Sequence, residues 1–114
     1  MWELPGFLGF VVHRFFLADM EKEIVAAILR YLKTLPCCFA WKTHGGMYGT
    51  AGIPDIIACI DGGFYAFEVK QPGGRITRLQ EVTLEKLRAA GGVAVMVTSV
   101  DEVKCALAGK GAVL

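Results

Sequence analysis

Apolar residues recur at Ile24, Ala27, Ile28, Tyr31, Leu32 and Leu35, the i, i+3, i+4, i+7, i+8, i+11 spacing of one helical face. Asp19 stands where an N-cap belongs and Pro36 where a helix must stop, so the pattern predicts an amphipathic helix from Glu21 to Leu35. The periodicity then changes. Cys37 to Lys42 reads as a short strand, while Ile53 to Ile60 and Phe64 to Lys70 are strand-like runs joined by Asp61-Gly62-Gly63. Asp-Gly is a strong hairpin signal, so the two runs are expected to pair antiparallel. After the turn Gln71-Pro72-Gly73-Gly74, a helix from Arg78 to Ala90 carries Leu79, Val82, Leu87 and Ala90 on one side, and Gly91-Gly92 ends it. Val93 to Thr98 is a fully apolar run expected as a buried strand, and Val100 to Ala108 a short last helix.

The order is helix, three strands, helix, strand, helix. Strands that are apolar on both faces need cover on both, which predicts an α/β domain with a mixed sheet flanked by helices on each side. His44 to Gly52 (HGGMYGTAG) holds four glycines and reads as a loop whose backbone approaches a neighbour closely.

At 114 residues, the chain has room for one domain, expected over residues 19–114. Residues 1–18 are apolar, with Glu3 and Pro5 where a signal peptide carries positive charge, and Phe7 to Val12 is far shorter than the roughly 20 residues of a membrane span. They read as an apolar N-terminal extension that packs on an apolar surface or a second subunit, with no membrane association. Twelve Lys and Arg against eleven Asp and Glu leave a net charge of +1, so a nucleic-acid partner has to be held by local placement of charge. Cys37, Cys38, Cys59 and Cys105 show neither zinc-type CxxC pairs nor a disulfide framework, and are expected as reduced, mostly buried thiols of a cytoplasmic protein.

Register arithmetic on the hairpin brings the chemistry forward. If Asp61 and Gly62 are the loop residues, Ile60 pairs with Gly63 and Asp55 falls opposite Glu68. If Gly62 and Gly63 form the loop, Asp55 opposes Lys70, which shares a face with Glu68. Like charges opposed on a half-buried sheet are destabilising without a compensating cation. A divalent metal supplies one, and hard oxygen donors suit magnesium or manganese together with substrate phosphate oxygens. Lys70 is placed to orient or deprotonate an attacking water and to offset charge developing on phosphorus. The metal-free alternative is a buried ion-pair network in which Lys70 satisfies both acids.

Pro54-Asp55, twelve residues, then Glu68-Val69-Lys70 is the PD-(D/E)xK pattern. The surroundings Gly52-Ile53-Pro54-Asp55-Ile56-Ile57 and Phe67-Glu68-Val69-Lys70, followed by Gly74-Arg75-Ile76-Thr77 and Gln80, resemble the VRR-NUC (virus-type replication-repair nuclease) branch of that superfamily over Glu21 to Val103. The resemblance implies a restriction-endonuclease-like αβββαβ core and a magnesium-dependent nuclease, manganese substituting, that hydrolyses DNA phosphodiester bonds. It implies Asp55, Glu68 and the backbone carbonyl of Val69 as metal ligands and Lys70 as the catalytic lysine. It further implies structure-selective cutting of branched or Holliday-type DNA, a homodimer, a prokaryotic or phage-encoded origin, and a repair or replication partner such as a helicase. The other classes of function are an inert DNA-binding module of the same fold and a nuclease that depends on its partner.

The family's helical acid and its glutamine map onto Glu21 and Gln80. At about 100° per residue Glu21 lies roughly 60° from the centre of the apolar stripe and Glu23 roughly 100° away on its other flank, so Glu21 is chosen and Glu23 held in reserve. Glu21 is also favoured by the helix dipole, and Gln80 by a capping box with Thr77. Lys42, His44, Arg75 and Arg78 flank the acids as candidate phosphate contacts. Trp41 and Tyr48 are candidates for stacking on bases, with Trp41, at a strand end, read as core.

Overall fold

The structure is a computed structural model that describes residues 6–44 and 50–109, with the backbone alone over 6–18. Helix α1 (Gly6–Leu32) is followed by strands β1 (Cys38–Lys42), β2 (Ile56–Ile60) and β3 (Gly63–Val69), helix α2 (Arg78–Ala89), strand β4 (Val93–Val97) and helix α3 (Val100–Ala108). The four strands form one sheet in the order β1-β2-β3-β4, the first three antiparallel and β3 with β4 parallel. This is the mixed α/β sheet that the order of elements predicts.

One face of the sheet packs against α1 and α3 through Ile56, Ala58, Ile60, Tyr65, Phe67, Val69 and Val97, meeting Val25, Ile28 and Leu32 of α1 and Val103 and Leu107 of α3. The opposite face is covered more thinly: α2 lays Leu84 over Ile57, Ala66 and Ala94, with Leu87 and Ile76 at the margin. Even and odd strand positions thus serve different helices, as the two-residue period of a strand requires.

The hairpin is closed by Asp61 (φ 51°) and Gly62 (φ 82°). Positive φ at both central residues is the type I′ turn whose twist matches the strands it joins. Ile60 therefore pairs with Gly63 and the ladder runs to Ile56 opposite Phe67. The first of the two registers is the one adopted, and the next pair outward is Asp55 with Glu68.

Several expectations are corrected. Helix α1 does not start at Asp19 but runs continuously from Gly6, because no proline interrupts residues 6–32 and an interior aspartate lowers helix propensity without breaking the ladder. Its buried line is Val25, Ile28 and Leu32, with Ile24, Tyr31 and Leu35 at the margin. On α2 the sheet-facing line is Leu84 and Leu87, and Leu79 is 53% exposed. Strand β4 is half-buried at Val93, Val95 and Met96, as expected of an edge strand. The thiols are free but not mostly buried: Cys37, Cys59 and Cys105 are exposed and Cys38 half-buried. Cys37 sits in the turn before β1 with φ 52°, and Cys59 lies on the α2 face where that short helix does not reach. Trp41 is 45% exposed, for the same reason. Among the described residues no helix is long and apolar enough to cross a membrane. Tyr48 lies outside the described residues.

Candidate active site

The open end of the hairpin gathers five polar side chains from four elements. Asp55 precedes β2 and is anchored through its own backbone. Pro54 is fully buried, its carbonyl accepts from the Thr43 hydroxyl at 2.7 Å, and the Asp55 carbonyl accepts from the Thr43 N–H at 2.9 Å. Thr43 is a supporting residue that no sequence pattern singled out; its signal is the pairing of β1 with β2, which only the three-dimensional register reveals. The approach to Pro54 depends on Gly52, whose φ is +79° and where a Cβ would lie 2.8 Å from Thr83 Oγ1 and 2.9 Å from Leu79 Cγ. Only glycine lets this loop pass so close to the start of α2.

Asp55 Oδ2 accepts the Val69 N–H at 2.8 Å, which ties the aspartate to the end of β3. Beside it Glu68 is 2% exposed, the one buried charged residue of the described core. Its Oε1 accepts from Gln80 Nε2 at 2.7 Å and lies 3.8 Å from Lys70 Nζ. Among the described residues no group donates to its buried Oε2, and its side-chain hydrogen-bonding neighbour is the other carboxyl, Asp55. Burial, with the negative charge of Asp55 next in weight, pushes the Glu68 carboxyl up to about 8; Lys70 pulls the other way, while a side-chain hydrogen bond with Asp55 and then the charge of Glu21 add smaller pushes.

Gln80 holds two posts at once. Thr77 caps α2 by accepting the Gln80 N–H at 3.2 Å, and Gln80 Oε1 accepts the Thr77 N–H at 3.0 Å. With its oxygen engaged in that capping box, the amide has its nitrogen free for Glu68. The capping and site readings of Gln80 thus hold together. On α2 this glutamine leads the line Gln80, Leu84, Leu87, and on α1 Glu21 leads the line Glu21, Val25, Ile28, Leu32. Among the described residues, the sheet-facing line of each helix is led by a polar residue.

Glu21 is half-buried and lines a cleft of about 210 Å³ with Lys22, Val25, Lys42, Asp55 and Val69. Glu23 is exposed and does not line it. Of the candidate cations, Lys42 borders the cleft. His44 and Arg75 are exposed, and Arg78 pairs with Glu81 at 3.4 Å on the outer surface of α2. Lys22, beside Glu21 on α1, also borders the cleft, and its signal in the sequence is its place next to that acid on the helix.

The arrangement fits a divalent cation. Two carboxyl groups face each other at hydrogen-bond range, no described residue donates to the buried Glu68 Oε2, and the low exposure raises the cost of leaving both acids ionised and uncompensated. Among the described residues no group of three or more His, Cys, Asp or Glu side chains forms a metal cage. A pair of hard oxygen ligands is the donor set of magnesium, which keeps several waters and takes its remaining contacts from substrate phosphates. The cleft is smaller than the roughly 300–1,000 Å³ of pockets that engulf small molecules.

No protein-family model and no curated protein matches the chain. Solved structures do. A chain described as a VRR_NUC domain superposes with a TM-score of 0.65 at 21% identity, over 79% of this chain and 95% of that one. A VRR_NUC domain protein superposes with a TM-score of 0.63 at 22% identity, over 77% and 84%. The chain has the fold of these VRR-NUC domains, the architecture that the PD-(D/E)xK resemblance implied.

Proposed function

We propose that the protein is a magnesium-dependent nuclease that hydrolyses DNA phosphodiester bonds, with manganese able to substitute. The observation that carries this reading is the buried Glu68 carboxyl, opposed by the Asp55 carboxyl at side-chain hydrogen-bond range, with no donor on its Oε2 among the described residues. A fold selected for stability alone has no reason to keep it. The VRR-NUC fold of the neighbours supports the same reading.

Asp55, Glu68 and the Val69 backbone carbonyl would hold the ion, with Glu21 reaching it through water. When bound, the ion lowers the pKa of a coordinated water and neutralises charge on the phosphate. Lys70, its ammonium beside Glu68, orients the attacking water and stabilises charge developing on phosphorus. Gln80 fixes the carboxylate plane of Glu68 so that Oε2 stays available, and Thr43 and Val69 fix Asp55. Lys22 and Lys42 at the cleft mouth, with His44, Arg75 and Arg78 farther out, neutralise neighbouring phosphates and supply affinity that falls with salt.

The reading extends to structure-selective cutting of branched or junction DNA by a homodimer, since one small subunit has little surface for gripping two duplex arms. Incubating the protein at low salt with a labelled four-way junction, a flap and a linear duplex, in magnesium, manganese or EDTA, tests it. Metal-dependent cutting that disappears in Lys70→Ala supports the nuclease; binding without cutting under either metal refutes it and leaves the inert or partner-dependent module.

A further inference from the structure

The least economical part of the fold is an aromatic pair that the core leaves outside. Phe39 is 71% exposed and Trp41 45%. Their ring centroids are 5.7 Å apart at an interplanar angle of 52°, and neither belongs to a core cluster. Both stand at odd positions of β1, an edge strand of the sheet. Phe39 lies opposite Cys59 and Trp41 opposite Ile57, while Thr43, the next odd position, donates to the Asp55 carbonyl. The aromatic row therefore leads along the sheet face to Thr43, the residue that holds the backbone of Asp55. Trp41 is roughly 7 Å along the strand from Thr43 at the usual rise per residue. Between these odd positions Lys42 points to the other side and borders the cleft.

We infer that Phe39 and Trp41 form a stacking platform for unpaired bases of the DNA, next to the bond that is cut. This rests on the nuclease reading and narrows its substrate class to DNA that is single-stranded or splayed beside the scissile phosphate. Exposed aromatic rings with a cation next along the strand, here Lys42 across its edge, suit single-strand binding: rings take the base faces and the ammonium takes the backbone. The platform is sequence-tolerant because every base has a π-face. Bases buried in a duplex do not reach it, so the selectivity is for structure.

The area argues against a second copy of the chain as the occupant. With Phe64, exposed on the same face beyond Cys59, the three rings offer roughly 300 Å², taking 150–250 Å² for a whole aromatic side chain. A stable interface needs about 800 Å² per partner. A short stretch of bases needs no more than two rings.

The test is binding in EDTA, where no cutting intervenes, of labelled oligothymidylate, a flapped duplex and a blunt duplex to the wild type and to the double variant Phe39→Ala, Trp41→Ala. The expected result is a loss of about tenfold or more for the oligothymidylate and the flap, with the blunt duplex unchanged. A Trp2→Phe variant leaves Trp41 as the only tryptophan, and its fluorescence should be quenched by oligothymidylate; this second readout needs no change at the platform. Equal affinity of variant and wild type, an equal loss on all three DNAs, or an unquenched Trp41 overturns the platform. So does a variant whose sedimentation shows fewer subunits than the wild type, which assigns the rings to contact between copies. Selective loss without any metal-dependent cutting of the flap keeps the platform and refutes the nuclease; cutting without selective loss does the reverse.

Discussion

At its closed end the β2–β3 hairpin carries Asp61, exposed in a type I′ turn, its N–H donated to the Cys37 carbonyl at 2.9 Å. At its open end it carries Asp55, half-buried against Glu68, with Lys70 and Gln80 drawn in to hold the pair. The two aspartates sit on one hairpin and obey opposite rules. Asp61 satisfies turn chemistry, backbone twist and solvation together. Asp55 stands where a neutral residue would cost less, since opposed acids in a dry setting repel. Where local rules and stability agree, the chain is building; where they conflict at a place that other residues have been recruited to support, it is equipped for chemistry.

Breaking the open end has the largest expected effect. Lys70→Ala should lower metal-dependent cleavage by about 10²–10³-fold, the cost of removing one group that stabilises transition-state charge. Asp55→Asn should lower it at least as far while leaving the melting temperature equal or higher, because it relieves the repulsion on Glu68. A cleavage series beside thermal melts separates the two effects, and a parallel fall in both would mark Asp55 as structural.

A pH series sharpens the comparison. The Glu68 carboxyl is raised to about 8, so the folded metal-free protein holds this proton more tightly than the unfolded chain does. The resulting stabilisation is full below the ordinary glutamate range and is lost as pH rises through about 8, at up to about 1.4 kcal/mol per pH unit. Melts in EDTA should show this decline, and Glu68→Gln should flatten it. Saturating magnesium should also oppose it, because the ion favours the ionised carboxylate.

Gln80→Ala should cost about 10–100-fold in metal affinity or rate, as removal of a group that orients a ligand does. It should also cost about 1 kcal/mol through the lost capping box. Thr77→Ala should reproduce the second loss with a far smaller effect on rate, which kinetics and melts on both variants will check. At the closed end, Gly62→Ala, at φ 82°, should cost about 1 kcal/mol of stability and leave cleavage unchanged.

Much of this was legible because it is local. Asp61-Gly62 announces its turn, and the turn sets the register that opposes Asp55 to Glu68; Thr77 and Gln80 announce their capping box three residues apart. Glu21 was separable from Glu23 by helical geometry alone, since one lies near the buried stripe and the other does not. What escaped depends on distance in the chain. Thr43 supports Pro54 and Asp55 from eleven and twelve residues away. The exposure of Trp41 reflects how far a short helix extends across a sheet. Asp19 misled because a good capping residue is also tolerated inside a helix, and nothing between Gly6 and Leu32 forces an end.

The most direct test of the central claim, that the opposed acids at the open end exist to hold a cation, is calorimetric titration of manganese into the metal-free protein. The account predicts one ion bound per chain with release of the Glu68 proton, and neither binding nor release in Asp55→Asn. Absence of binding to the wild type, or binding that Asp55→Asn leaves intact, would contradict it.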